Sequence, residues 1–197
     1  MDKSKKNTLS TFFTPPEGEL TPPTDEEMSA IPDDCLAIAF YTAPGHRPRY
    51  VSGEPHGDRI RVRYFHRQSD DLLLARAWFG PGCEGPPWHA HGGSSAALLD
   101  EAMGIRAWMT GKRVLAGRIQ INFRAPLPLG RTFMLEAWVE RVSGRKVVCK
   151  AKLLGPDGTV YVDGEGLYLE LDPNLLPEDA EFHPIRSIPD GAQDHLD

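Results

Sequence analysis

Gly85-Pro86-Pro87-Trp88-His89-Ala90-His91-Gly92-Gly93-Ser94-Ser95 runs directly into Ala96-Ala97-Leu98-Leu99-Asp100-Glu101-Ala102-Met103-Gly104, and the reading of that junction decides the fold. The Pro/Gly-rich approach stiffens the chain, and Gly92 and Gly93 permit a tight backbone turn. Ser94 or Ser95 can then cap a first helical turn. An apolar helix is predicted from there to about Thr110, stopped by Gly111. A helix that opens after glycines presents unpaired N–H groups at its positive dipole end, a place suited to an anion or a developing oxyanion.

Ala96, Ala97, Leu98, Leu99, Ala102, Met103, Ile105, Ala107, Trp108 and Met109 leave this helix only a narrow polar stripe, so most of its surface is expected to be buried. Asp100 does not fall on that stripe. Helical spacing groups it with Ala96 or Ala97, Gly104 and Ala107, a face of small residues that other groups can approach closely. An Asp on a helix is ordinarily a solvated carboxylate. The small-residue face, and the glycine pair about two turns away, make Asp100 a candidate site residue instead. Trp88, Met103, Trp108 and Met109 can line a cavity, but bulky apolar residues on a buried helix are more often core.

Working outward, the flanking segments read as strands. Leu36–Tyr41 is a short apolar run, a strand or the end of a helical segment. Arg59–His66 alternates Ile60, Val62 and Tyr64 with Arg61, Arg63 and Phe65, and Leu72–Phe79 follows the Ser69-Asp70-Asp71 turn, so the two are expected to form a hairpin. Beyond the helix, strands are predicted over Val114–Leu127, Arg131–Val142, Lys146–Leu154 and Thr159–Leu171. Gly155-Pro156-Asp157-Gly158 is a strong turn between the last two. A hairpin, one long buried helix and about four further strands give an α+β layer architecture, an antiparallel sheet wrapped around the helix. Open edges of such a sheet often pair with a second subunit.

The 197 residues fit one domain with tails, and no apolar run is long enough to span a bilayer. Residues 1–34, with two Thr-Pro-Pro units, are expected to form a disordered or extended tail, and residues 173–197 an acidic tail. The start of the chain lacks the apolar core of a secretory signal, which points to the cytoplasm. The net charge of −6 is unevenly placed. Residues 1–34 hold three lysines and eight acids, and residues 172–197 one arginine and seven acids, so 35–171 carries +5. A mildly basic core without a clustered basic stripe suits a small phosphorylated ligand rather than nucleic acid. Cys35, Cys83 and Cys149 are odd in number and widely spaced, as reduced structural thiols are; a nucleophilic Cys83 served by His89 or His91 is the weaker alternative. His89-Ala90-His91 offers two alternate imidazoles, but no third ligand at cupin-like or zinc spacing, so neither a metal nor a cofactor is implied.

Several of these stretches together resemble the hot-dog-fold acyl-CoA thioesterases of the phenylacetate-degradation type and the related animal thioesterase-superfamily members, over roughly residues 60–171. The carriers are Gly85-Pro86-Pro87, His91-Gly92-Gly93, the Ala-Ala-Leu-Leu-Asp stretch ending at Asp100, Asn122-Phe123-Arg124-Ala125-Pro126-Leu127-Pro128, Gly144-Arg145-Lys146 and Asp157-Gly158. The resemblance implies a hot-dog domain over 35–172. It also implies edge-to-edge pairing of protomers as a homodimer or dimer of dimers, with sites at the interface, and an acyl-CoA or acyl-carrier thioester as substrate. For Asp100 it implies the acidic catalytic residue, as general base on a water or as direct nucleophile. Gly93 would lend its N–H to the oxyanion, and His91 would orient the loop or touch the carbonyl. Gly92, Ser94 and His89 would contact substrate. Arg124, Arg145 and Lys146, near strand ends, would hold the nucleotide of coenzyme A.

One position departs from the family pattern. Many of these thioesterases carry a hydroxyl residue, usually Thr, early in the strand that ends in the Pro, where it helps position the nucleophilic water. The matching residue here is Ala116, beside Gly117. Ser94, Ser95 or another residue would have to take over, or the chemistry is different. A dehydratase or tailoring enzyme with His91 or His89 as base, and a non-catalytic acyl-ligand binding protein, are the alternatives on the same fold.

Overall fold

A helix that is apolar almost all the way round has a stable place only between layers. In a computed structural model, which describes residues 20–40 and 47–172 and the backbone of 186–188, that is its location. The elements are α1 (Asp25–Ser29), β1 (Cys35–Ala39), β2 (Ile60–Arg67), β3 (Leu72–Phe79), a short 3-10 turn (Pro81–Cys83), α2 (Gly92–Trp108), β4 (Val114–Phe123), β5 (Thr132–Ser143), β6 (Lys146–Leu154), β7 (Val160–Glu170) and β8 (Arg186–Ile188). All the strands join one antiparallel sheet in the order β4-β7-β6-β5-β3-β2-β1-β8.

The sheet curls around α2 as expected. Leu98, Leu99, Ala102, Met103 and Ala107 are completely buried, and Ile105 nearly so. Burying each of the larger ones contributes about 1.5–3 kcal/mol. α2 runs antiparallel to β4. An ideal Cβ on Gly92 would lie 3.1 Å from the Phe123 ring, and at the other end the Trp108 indole N–H donates to the Val114 carbonyl at 3.0 Å. Gly111, at φ +84°, ends the helical region. The turn between β2 and β3 is tied to the helix by Arg106, which is buried, donates to the Asp71 carbonyl at 3.0 Å and ion-pairs with the Asp71 carboxylate.

Most strand limits shift by a residue, and three differences from the sequence reading are larger in consequence. The apolar run at Leu36–Tyr41 is a strand over Cys35–Ala39, with Tyr41 itself outside the described residues. The strand predicted over Val114–Leu127 stops at Phe123, because the N–H groups of Arg124 and Ala125 both turn to the Tyr161 carbonyl. The predicted tails are not tails throughout. Thr24 and Glu27 form a reciprocal capping box on α1, and Met28 is 3% exposed. Arg76 holds this segment by donating from Nη1 to the carbonyls of Glu27, Met28 and Ala30 at 2.7, 3.0 and 2.7 Å. Residues 186–188 pair with β1. Residues 1–19 and, apart from 186–188, residues 173–197 lie outside the described residues.

Candidate functional site

The helix opens one turn earlier than the serines suggested. His91 is the N-cap: its Nδ1 accepts the Gly93 N–H at 2.9 Å. Ser94 and Ser95 are already helical, and their hydroxyls donate back to the His91 and Gly92 carbonyls at 2.6 and 3.0 Å. Neither caps the helix. Since Nδ1 is the acceptor, a neutral His91 carries its proton on Nε2, which is thereby a free-facing donor on an exposed ring. The approach is a tight fold-back in which the Gly85 N–H donates to the His89 carbonyl at 2.9 Å and the His91 N–H to the Cys83 carbonyl at 2.7 Å. A side chain on Gly85 would run into the His91 backbone at 2.8 Å. Trp88 takes φ +66° in this turn, with its N–H on the Glu84 carboxylate at 2.8 Å. His89 turns away from His91, its Nδ1 lying 2.8 Å from the Pro87 carbonyl.

Beside this helix start lies a cavity of about 670 Å³. Val51, Ile60, Cys83, His91, Gly93 and Ser94 line it, and Arg49 and Arg59 reach it. Burial pushes the Cys83 thiol above its ordinary range, which leaves it a poor nucleophile.

Two turns along α2, Asp100 is half-buried. The Tyr168 hydroxyl on β7 donates toward both its main-chain carbonyl, at 3.0 Å, and its carboxylate Oδ1, at 3.1 Å. Burial, reinforced by the Asp100 charge, raises Tyr168 well above the tyrosine range, so it remains a protonated donor. The small-residue face does what small residues allow. An ideal Cβ on Gly104 would sit 3.6 Å from the Tyr168 ring, and one on Gly166 would collide with that ring at 2.5 Å. One on Gly164 would strike Ile121 at 2.7 Å and Leu99 at 3.3 Å. Glu101 points elsewhere, accepting the buried Tyr64 hydroxyl at 3.0 Å.

Tyr168 is the residue that the sequence reading missed. Its signal was present in Gly164-Glu165-Gly166-Leu167-Tyr168, where alternating glycines clear one face of a strand for close approach. In the sheet register Tyr168 sits directly opposite Ala116. A bulge follows at Gly117, between Ala116 and Arg118, the kind of irregularity that re-aims side chains near sites.

The three cations do not gather within one chain. Arg145 grips the Glu170 carbonyl with Nε and Nη2 at 3.2 and 2.8 Å, and Lys146 follows it into β6. Arg124 lies beyond the other end of β4, about 30 Å away at strand rise, and forms a two-point pair with Asp163, from Nε at 2.5 Å and Nη2 at 3.2 Å. That pairing, helped by Asn122, holds the Asp163 carboxyl below its usual range. β4 itself is an edge of the sheet. Leu115, Ile119 and Phe123 are 60%, 40% and 59% exposed along it. Among the described residues no helix is long and apolar enough to cross a membrane.

Residues 89–162 match the family model of the thioesterase superfamily. The chain is similar to the mouse acyl-coenzyme A thioesterase THEM5, 34% identical over 111 residues that make up 56% of this chain and 44% of that protein. The human THEM5 is 30% identical over 126 residues, 62% of this chain and 49% of that one. The chain thus spans about half the length of the curated relatives it matches. Among solved structures, a thioesterase superfamily protein aligns with a TM-score of 0.53 at 28% identity, over 56% of this chain and 54% of that one.

Proposed function

This chain carries a hot-dog domain of the thioesterase superfamily, and from that premise we propose that it hydrolyses an acyl thioester with Asp100 as general base. The observation that carries the reading is the half-buried Asp100 carboxylate, fixed by a neutral donor on a helix that begins at His91-Gly92-Gly93. In the reaction Asp100 takes a proton from water as the water oxygen bonds to the carbonyl carbon. Negative charge builds on the carbonyl oxygen, where the Gly93 N–H and the helix dipole stabilise it. Collapse breaks the carbon–sulfur bond, and the thiolate leaves with the proton returned from Asp100. His91, which holds the Gly93 N–H at rest, turns aside or presents its Nε2–H to the same oxygen.

Distance determines how these parts combine. Gly93 and Asp100 are seven residues apart on one helix, about 10 Å along its axis, whereas base and oxyanion donor must both lie within about 3 Å of one reacting group. Asp100 also does not line the cavity at the helix start. We therefore read the site as shared: antiparallel pairing of two copies through β4 sets the Gly93 end of one against the Asp100 of the other. The exposed apolar side chains of β4 support such pairing. The same pairing carries the Arg124 end of one copy toward Arg145 and Lys146 of the other, a basic rim for the anionic end of a carrier. The names of the relatives make coenzyme A the first carrier to try.

Thiol release from short, medium, long and aryl acyl-CoA thioesters, measured for the wild type and Asp100→Asn, tests the reading. Hydrolysis that falls at least 100-fold in the variant, with the oligomer intact, is expected. A folded wild type that releases no thiol from any of them overturns it.

A further inference from the structure

Ala116, where the family resemblance implies a hydroxyl, has none, and the Ser94 and Ser95 hydroxyls donate to helix carbonyls. The residue directly across the sheet from Ala116 is Tyr168. Directly opposed residues of an antiparallel pair project from the same face, so Tyr168 presents its hydroxyl on the face of the sheet from which residue 116 projects. We propose that Tyr168 is a positioning residue of this site, its hydroxyl fixing the Asp100 carboxylate from the neighbouring strand. This rests on the reading of Asp100 as the base.

The placement is built rather than incidental. Tyr168 is 2% exposed. Its ring lies in a slot cleared by Gly166 beneath it and Gly104 on the helix, and a phenylalanine would fill that slot equally well. The hydroxyl adds one thing, a single donor shared between the Asp100 carbonyl at 3.0 Å and Oδ1 at 3.1 Å. Holding Oδ1 in this way favours one direction of the carboxylate relative to the helix, with Oδ2 the oxygen available to a reacting proton. A buried aromatic hydroxyl also resists ionisation, so it keeps donating across the working pH range.

Two variants and one structure test the assignment. Tyr168→Phe is expected to lower kcat about 10- to 100-fold, the worth of one hydrogen bond to a charged acceptor, with KM within twofold and the oligomer retained, a split that a packing defect would not show. If Tyr168→Phe stays within twofold of the wild type while Asp100→Asn is dead, the positioning role fails and the thioesterase reading stands. A crystal structure of Tyr168→Phe reads the same point without turnover. Loss of the single Asp100 side-chain orientation supports the proposal, and an unchanged orientation overturns it whatever the activity.

Discussion

His91 closes the first turn of the central helix on Gly93: the imidazole Nδ1 takes the N–H at 2.9 Å. The N–H proposed to serve the oxyanion is therefore held by a side chain that borders the adjoining cavity. Cap and chemistry can be separated. His91→Ala is expected to lose about 1 kcal/mol of stability, the usual worth of an N-cap. His91→Asn keeps a capping acceptor and is expected to melt within a degree or two of the wild type. If His91 serves the carbonyl, both variants lose rate alike, by about 10- to 100-fold. An active His91→Asn would confine the residue to capping.

The proposed sharing of the site between two copies has a numerical signature. Asp100→Asn and Gly93→Pro are each expected to be inactive alone, the second because proline has no N–H to give. Unfolded together and refolded as a one-to-one mixture, half of the dimers are mixed and each mixed dimer has one intact site. About a quarter of the wild-type rate should return. A mixture no more active than its components would place Gly93 and Asp100 in separate roles.

The edge strand provides a second handle on assembly. Ile119→Lys adds a charge where a 40% exposed isoleucine borders the helix face of the sheet. Sedimentation should show a shift toward monomer, with circular dichroism unchanged and thioester hydrolysis lost. A stable, active dimer carrying Lys at both 115 and 119 would move the interface elsewhere.

The thiols report on burial. All three cysteines are buried, and Cys149 is pushed up to about 12, mainly by burial. An aromatic disulfide reagent at pH 8 should label none of them in the native protein and all three in urea. The unfolded Cys149 ionises near 9, so between about pH 9 and 12 the unfolded chain releases a proton that the folded one keeps. Stability from this group is complete below pH 9 and falls as pH rises, by about 1.4 kcal/mol per unit. Urea unfolding of Cys149→Ala at pH 8 and pH 10 should show the flatter dependence.

The sequence made the framework readable where local chemistry determines it. Leu72–Phe79 and Lys146–Leu154 have the predicted limits, since strong turns bound strands whose faces are set by alternation. The helix was readable from composition alone. Its cap was not, because the serines that favour capping lie downstream of a histidine that does it first. α1 was legible in Thr24-x-x-Glu27 and was hidden by the Pro- and acid-rich composition around it. Asp100 stood out through its small neighbours, but its partner Tyr168 lies 68 residues further on. Only sheet register joins the two. The three cations share a strand-end address in the sequence, and nothing in it says that the ends are opposite.

Gly164 and Gly166 act as a spacer defined by what they lack. A Cβ at Gly164 would strike Ile121 at 2.7 Å and press on Leu99 of the central helix at 3.3 Å, so the bare face of β7 lets the helix, and Asp100 with it, approach the strand closely. A methyl group added at Gly166 presses on the Tyr168 ring, which bears on the aspartate before it bears on the core. With Asp100 in its proposed role, such a change reaches the chemistry as a displacement, and a protein that still melts normally could already have lost its alignment. Tolerance to mutation along this strand is therefore better gauged by turnover than by thermal stability.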